Sequence, residues 1–434
     1  MRHYWPPRLL LALGFLASAA VSSAQTQDTL SSFQQLTVIK PNEPWWSTLM
    51  RMRANERFIK DTNAAGIYLQ IRSQAEARVG NHLDALRMFD LLQPPGDSVG
   101  SLPTGVRAVD AVTYLASMAD TARVIMINER HHASTDRLVT LRLLPLLRAK
   151  GYRYFAAEAL DERDSTLARR GYPIEGLTGT FYVEDPVFAE VLREALRLGY
   201  NVVPYESSLA QNQPQGPLDT RPTSFRRDSA QAANLVDRVF RRDATAKVLV
   251  HAGYAHIEEH ESPAWHPMAW YFRRLTGIDP VTVDQTVLSE RSAPSYEHPL
   301  YRAIQNAHLG AGVGLPNDPV IVLGENGKPL AVTGRYAVDL EIVSARTQYD
   351  DGGRPTWMTL GGGRRATPIS TPECATQWCL VEARMATSPD NALVLDRVEV
   401  MRRDRSTLYL PARTSVRIRI LAMDGRVIRT ITSP

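Results

Sequence analysis

The sequence predicts an α/β protein: a mostly parallel sheet covered by helices, with an N-terminal helical segment before it and a small β-rich C-terminal domain after it. Three observations carry this. Short apolar runs alternate with amphipathic stretches through the middle third of the 434 residues. Glycines stand where two of those amphipathic stretches should end. Beyond Asp284 the alternation stops, and short strand-like segments separated by turns replace it.

The N-terminus comes first. Arg2 and Arg8 make a positive region, Leu9 to Val21 is an unbroken run of apolar or small residues, and Ser22-Ser23-Ala24 offers small residues for cleavage. Residues 1–24 therefore read as a secretory signal peptide, with Gln25 as the mature start. The run is short for a bilayer span and ends in small residues, which argues against a membrane anchor. No cysteine stands near the cleavage position, which excludes a lipoprotein. The expectation is an exported protein, periplasmic or secreted, with no membrane span once the signal is removed.

Residues 25–105 are predicted to be a helical segment. Ile67, Tyr68, Ile71, Ala75, Val79, Leu83, Leu86 and Phe89 recur at helical spacing, and Gly80-Asn81 breaks the run. Ala75 to Phe89 looks like one tetratricopeptide-type hairpin, but a single copy cannot bury a core alone. A helical pair packed on the main domain is the preferred reading. Pro94-Pro95-Gly96-Asp97 follows as a linker.

Residues 106–290 form the predicted α/β domain. Arg123 to Ile127 is the first strand, and Ser134 to Lys150 an amphipathic helix closed by Gly151. Tyr152 to Ala157 is the second strand, Asp185 to Leu198 a helix closed by Gly199, and Asn201 to Tyr205 the third strand. Ser224 to Arg241 is a helix, Lys247 to Val250 the fourth strand, His266 to Leu275 a helix, and Val281 to Val283 the fifth strand. Such alternation implies right-handed crossovers and a covered, mostly parallel sheet. Residues 291–319 read as a connector rich in Pro, Gly and His, and 320–434 as the β-rich domain. Cys374 and Cys379 lie close together in a chain expected to be exported, so a local disulfide is predicted.

Charge narrows the partners. The formal net charge is +4, and Arg2 and Arg8 leave with the signal peptide. Basic and acidic residues are mixed along the chain, with no basic stripe, so nucleic acid is excluded as a partner. A small-molecule substrate is expected instead.

In an open parallel sheet, ligands bind outside the carboxyl ends of the strands. Each predicted strand here is followed by ionisable residues: Asn128-Glu129-Arg130-His131-His132, then Glu158, Glu206, His251-Ala252-Gly253-Tyr254-Ala255-His256, and Asp284. Charges at a buried sheet edge are costly unless paired or metal-bound. Each of these residues also has a plainer role open to it, as a solvated loop charge or a helix-capping partner. His260 lies in the acidic run from Glu258 to Glu261, which reads as a solvated segment. Trp265 and Trp270 can form an aromatic wall near the pocket or pack in the core, and packing is favoured slightly.

At these residues the chain resembles the erythromycin-esterase/ChaN-like superfamily, to which TraB/TIKI-type proteins are related. Asn128-Glu129-Arg130-His131 looks like that group's Gly-Glu-x-His signature, with Asn128 in place of the first glycine. Glu158 sits where the group has an acidic residue ending its second strand. Arg227-Asp228 with Ala232 and Asn234-Leu235 resembles its Arg…Met-Ala-x-Asn helix, with Gln231 in place of methionine. Ala252 to His256 resembles its late Gly-x-x-His turn. The matches run in the group's order over residues 106–290.

Two chemistries follow. In the first, Glu129, His131, Glu158, Arg227 and His256 make a hydrolytic site against an ester or amide-type bond. A carboxylate orients His131, which activates water, while His256 or Arg227 stabilises the oxyanion. A Gly-x-Ser-x-Gly pattern occurs at Gly96-Asp97-Ser98-Val99-Gly100, but in the linker stretch rather than between a strand and a helix, so neither it nor a suitably placed cysteine offers a nucleophile. Some members of the group are metal-dependent, so the resemblance also allows Glu129, His131, Glu158, Glu206 and His256 to hold a divalent Mn or Zn. In the second, the resemblance to ChaN-like proteins implies haem or iron binding, with His132 and Tyr254 joining His131 and His256 as ligand candidates. A third option makes the chain a binding or scaffold protein that works through its β-rich tail.

Overall fold

The structure is a computed structural model that describes residues 36–37, 43–57, 64–214, 216, 219, 221–260, 265–313, 318–330 and 338–433. The expected signal peptide, residues 1–24, lies outside the described residues. The large sheet is built from β1 (Arg107–Asp110), β2 (Val124–Glu129), β3 (Tyr154–Ala157), β4 (Asn201–Pro204), β5 (Val248–Gly253), β6 (Val281–Asp284), β7 (Val320–Leu323) and β8 (Leu340–Val343). Their spatial order is β1-β7-β8-β6-β2-β5-β3-β4. From β8 to β4 every pair is parallel, and only β7 runs against its neighbours β1 and β8. The predicted mostly parallel α/β sheet is therefore present.

Strand interiors explain the order of the sheet. β2 and β5 are buried at every position, as central parallel strands must be. Alternate side chains serve two cores. Ile125, Ile127, Phe155, Leu249 and Val283 face one side, where α4 (Ala111–Met118), α5 (Arg137–Ala149) and α6 (Pro186–Arg197) cover them. Val124, Met126, Ala156, Val248 and Val250 face the other, beneath α7 (Thr223–Leu235) and α8 (Met268–Thr276). Each fully buried large apolar side chain in these layers contributes about 1.5–3 kcal/mol relative to exposure. Asp185 caps α6 by accepting from the Val187 and Phe188 N–H groups, which starts that helix at its N1 proline.

The structure corrects several boundaries. The fourth predicted strand ended at Val250, whereas β5 continues through His251 to Gly253. β1 and α4 were not predicted, and the connector contains α9 (Pro299–Asn306). The β-rich domain was expected to begin at residue 320, yet β7 and β8 hydrogen-bond into the large sheet. Both are continuous buried runs, which is the pattern of a covered sheet rather than of a half-solvated one.

The separate β-rich region comprises β9 (Arg364–Ser370), β10 (Trp378–Met385), β11 (Asp396–Met401), β12 (Arg405–Pro411), β13 (Val416–Ala422) and β14 (Val427–Ser433). They form a four-stranded sheet, β11-β10-β13-β14, and a β12-β9 ribbon. The predicted Cys374–Cys379 disulfide is formed, with the Cα atoms 5.6 Å apart.

Among the described N-terminal residues, α1 (Trp46–Ala54), α2 (Ala65–Arg78) and α3 (His82–Asp90) are helical. They were expected to pack on the main domain. Phe89 of α3 does so, stacked on His132 and Tyr254, while Trp46, Leu49, Ala75 and Val79 share a core with Trp378, Leu380 and Leu421 of the β-rich region. Gly80, at φ +86°, permits the α2–α3 turn, and any side chain there would meet Arg354 and the Arg397 carbonyl. A long irregular segment after β3 is tied to the β-rich region as well: Ile174 bridges Ala392, the Glu175 N–H donates to the Asn391 carbonyl at 2.8 Å, and the Leu393 N–H donates to the Pro173 carbonyl at 3.0 Å. No helix among the described residues is long and apolar enough to cross a membrane.

Candidate active site

The parallel register carries the predicted residues to one edge. Glu129 ends β2 directly opposite Gly253 of β5, and Ala157 of β3 pairs with His251, so Glu158 emerges beside Gly253. The Glu158 N–H donates to the His251 carbonyl at 2.9 Å, which fixes where that side chain leaves the sheet.

Glu129 is wholly buried and is the anchor. Its Oε1 accepts from His131 Nδ1 at 2.9 Å and Arg137 Nη2 at 2.9 Å. Its Oε2 accepts from Arg137 Nε at 2.7 Å and contacts His251 Nε2 at 2.8 Å. Arg137 also pairs with Asp185 at 2.8 Å, and Thr140 Oγ1 meets His251 Nδ1 at 2.9 Å. Burial alone would raise the Glu129 carboxyl, but Arg137, with the His131 and His251 hydrogen bonds, holds it well below the ordinary carboxylate value. It is a fixed anion.

The second half is built on Arg227 from α7. Its Nε and Nη2 donate to Glu206 at 3.0 and 2.7 Å, Nη2 also donates to Glu158, and Nη1 lies 2.8 Å from His256 Nε2. His256 Nδ1 is 2.5 Å from Asp228 Oδ1. Trp265 Nε1 donates to the other Asp228 oxygen at 2.8 Å, so this tryptophan orients an acid of the site. Trp270 lies away from it, stacked on His266 at 4.2 Å between centroids. Burial would raise Glu158, yet Arg227, His256 and His131 pull it down to about 2. Burial lowers the His256 pKa, but Asp228 and Glu158 outweigh it and the net shift is upward. Arg227 Nη1 can donate only to an unprotonated Nε2, so a second proton on His256 must displace that contact.

Gly253 joins the halves. A Cβ at Gly253 would lie 2.5 Å from His131 Nε2 and 2.9 Å from Glu158 Oε2, and the Gly253 N–H donates to Glu158. His131 is thus oriented through Nδ1, while among the described residues its Nε2 has no hydrogen-bond partner. Tyr182 stacks on its ring at 3.8 Å between centroids.

Glu129, His131, Glu158, Glu206, Arg227 and His256 all converge. His132 and Tyr254 lie behind them. His132 stacks on Phe89 at 3.9 Å, its Nδ1 is 3.4 Å from Tyr254 Oη, and its Nε2 is sealed without a partner. Burial, with Arg130 next, pushes His132 well below the ordinary histidine value. Neither nitrogen is open to a haem iron. Asp284, after the fifth predicted strand, accepts from Asn128 Nδ2 at 2.6 Å and supports the floor. A divalent ion fits no better. The Glu129 oxygens are saturated by protein donors, and the Arg227 guanidinium stands among Glu158, Glu206 and His256, where a cation would have to sit. No group of three or more His, Cys, Asp or Glu residues that could hold a metal ion occurs among the described residues.

Three participants escaped the sequence reading, Arg137, Asp228 as a histidine partner and Tyr182, and His251, noted after the fourth strand, was not assigned to the site. Arg137 carried a signal, because a basic residue opening a helix opposes the helix dipole. His251 carried another, as an ionisable residue continuing a Val-Leu-Val strand.

No known family profile matches the chain, and no curated protein is similar to it. Some solved structures are partly similar. One is the type III effector HopBA1, at 15% identity over 45% of this chain and 96% of that one, with a TM-score of 0.29. Another is RRSP, a MARTX toxin effector domain from Vibrio vulnificus CMCP6, at 14% identity over 55% of this chain and 45% of that one, with a TM-score of 0.30. A third, described as bacterial protein toxins, gives 9% identity over 64% of this chain and 95% of that one, with a TM-score of 0.27. Scores this low bear on neither activity nor partner.

Proposed function

We propose that this chain is a hydrolase that cleaves an ester or amide-type bond of a small molecule with water activated by His131, without a metal. The observation that carries the reading is the state of that imidazole. Its Nδ1 is held by the buried Glu129 at 2.9 Å, which fixes the tautomer and leaves the Nε2 lone pair free. Water on Nε2 would lose a proton to it while the oxygen attacks the substrate carbonyl. Glu129 then balances the imidazolium, and Arg227, on the far side of Gly253, supplies positive charge for the oxyanion. Glu158 aims Arg227 rather than acting as an acid, since it stays ionised down to about pH 2, and Glu206 holds the same guanidinium.

The resemblance to the erythromycin-esterase/ChaN-like superfamily supports the same reading, because the four segments that carry it supply Glu129, His131, Glu158, Arg227 and His256. The test is a panel of esters, lactones and amides given to the mature chain before and after dialysis against a chelator. Turnover should survive chelation and disappear in His131→Ala and Glu129→Ala. Variants that match wild type throughout would remove His131 from the chemistry, and a Soret band or stoichiometric transition metal in the purified protein would restore the cofactor readings.

A further inference from the structure

We propose that Tyr182 is the proton donor of this site, delivering its phenolic hydrogen to the leaving oxygen of the ester; this rests on the hydrolytic reading above. Tyr182 belongs to a short 3-10 turn, Phe181–Glu184, at the end of the irregular segment after β3. Its ring lies nearly parallel to His131, at 3.8 Å and 15°. Its hydroxyl is buried and has no hydrogen-bond partner among the described residues. Buried tyrosine hydroxyls nearly always find a partner, so an orphan one beside an activated histidine calls for an explanation. A substrate oxygen brought against His131 would supply the missing acceptor.

The surroundings keep Tyr182 protonated, so it gives up its proton only to a base as strong as a departing alkoxide. Burial, then the nearby Glu158 and Glu206, push the phenol well above 10, so the proton is in place across any ordinary assay range. The turn is also held from outside the site. Arg78 of α2 pairs with Glu184, the Gly176 N–H donates to Glu184 at 2.7 Å, and the Phe181 ring meets Trp45 at 6.1 Å. Gly179 leaves no room for a side chain against Val183 and the Ala159 carbonyl. Tyr182 is thus positioned by groups that take no part in the cluster.

The step balances. Water gives a proton to His131 Nε2 as its oxygen bonds to the carbonyl carbon; the carbon–oxygen bond to the leaving group then breaks, and that oxygen takes the proton of Tyr182. Transfer of a proton from the His131 imidazolium to the tyrosinate, through solvent, resets both groups and leaves one acid and one alcohol.

A donor to the leaving oxygen matters for a poor leaving group and little for a good one. The experiment compares ethyl butyrate with p-nitrophenyl butyrate on the mature full-length chain, for wild type, Tyr182→Phe and His131→Ala. Tyr182→Phe keeps the stacked ring and should lose about 10²-fold in kcat on the ethyl ester but less than about threefold on the nitrophenyl ester, while His131→Ala loses both. An equal loss on the two esters, or none on the ethyl ester, would overturn the donor role and leave the hydrolase standing. A wild type that turns over neither ester, nor any ester, lactone or amide of the wider panel, overturns the hydrolytic reading itself, and Tyr182 with it.

Discussion

Two buried carboxylates in this molecule look alike until their partners are counted. Glu158, at the edge of the large sheet, and Glu382, inside β10, are each buried and each drawn down to about 2, against burial, by neighbouring cations. Around Glu382 those cations are the arginines Arg384, Arg397 and Arg419, whose guanidinium groups hold both of its oxygens and carry no titratable proton acceptor. Around Glu158 and Glu129 the network includes His131 and His256, and one imidazole nitrogen is left uncommitted. A depressed pKa therefore marks a clamped charge in both places. What separates a site from a strut is an atom that can still accept a proton.

That contrast can be broken in four ways. The largest effect belongs to His131→Ala, which should lower turnover by about 10²–10⁴-fold while leaving the unfolding midpoint near wild type. Glu382→Gln should do the reverse: a stability loss of about 3–5 kcal/mol in denaturant unfolding, from an uncompensated arginine cluster, with kcat within a few-fold. A Glu382 variant that loses turnover at full stability would erase the distinction. Gly253→Ala should cost about 1–3 kcal/mol and most of the activity, because the new methyl overlaps His131 and Glu158; full activity would mean that the two halves need not touch.

The smallest effect is on pH. Glu158 and Glu382 have folded values of about 2 against an ordinary 4.5, so each stabilises the fold fully above 4.5 and loses that contribution as pH falls towards 2. His256 is shifted the other way. Its contribution is complete below its ordinary 6.5 and fades as pH rises through its higher folded value. His256→Asn should flatten stability on the alkaline side of 6.5 and, because His256 also helps to hold Glu158 down, weaken the acid limb to a smaller extent, as chemical denaturation at a series of pH values would show.

The sequence made one half of this site legible and hid the other for a physical reason. Glu129, Glu158, Glu206 and His256 could be located because parallel strands end at one edge, so the residue after each strand is placed by the strand alone. Arg137, Asp228 and His251 depend on pairings between elements. His251 and Glu129 are 122 positions apart, and nothing local in either segment announces that they meet. Tyr182 sits in a segment with no period at all. The same limit governed the fold: the alternation revealed β2 to β6, while β7 and β8 follow a stretch rich in Pro, Gly and His that reads as a connector, so their pairing with the large sheet was not announced locally.

The backbone stitches between Pro173–Glu175 and Asn391–Leu393 have a consequence for how the protein can be divided. The β-rich region has its own disulfide and its own core, and would ordinarily be the piece to trim away. Yet it grips the same segment that goes on to form the turn beneath His131. Cutting the chain before β10 removes no residue of the catalytic cluster but frees the segment that lies across it. The smallest inheritable unit of activity would then be larger than the domain that holds the chemistry.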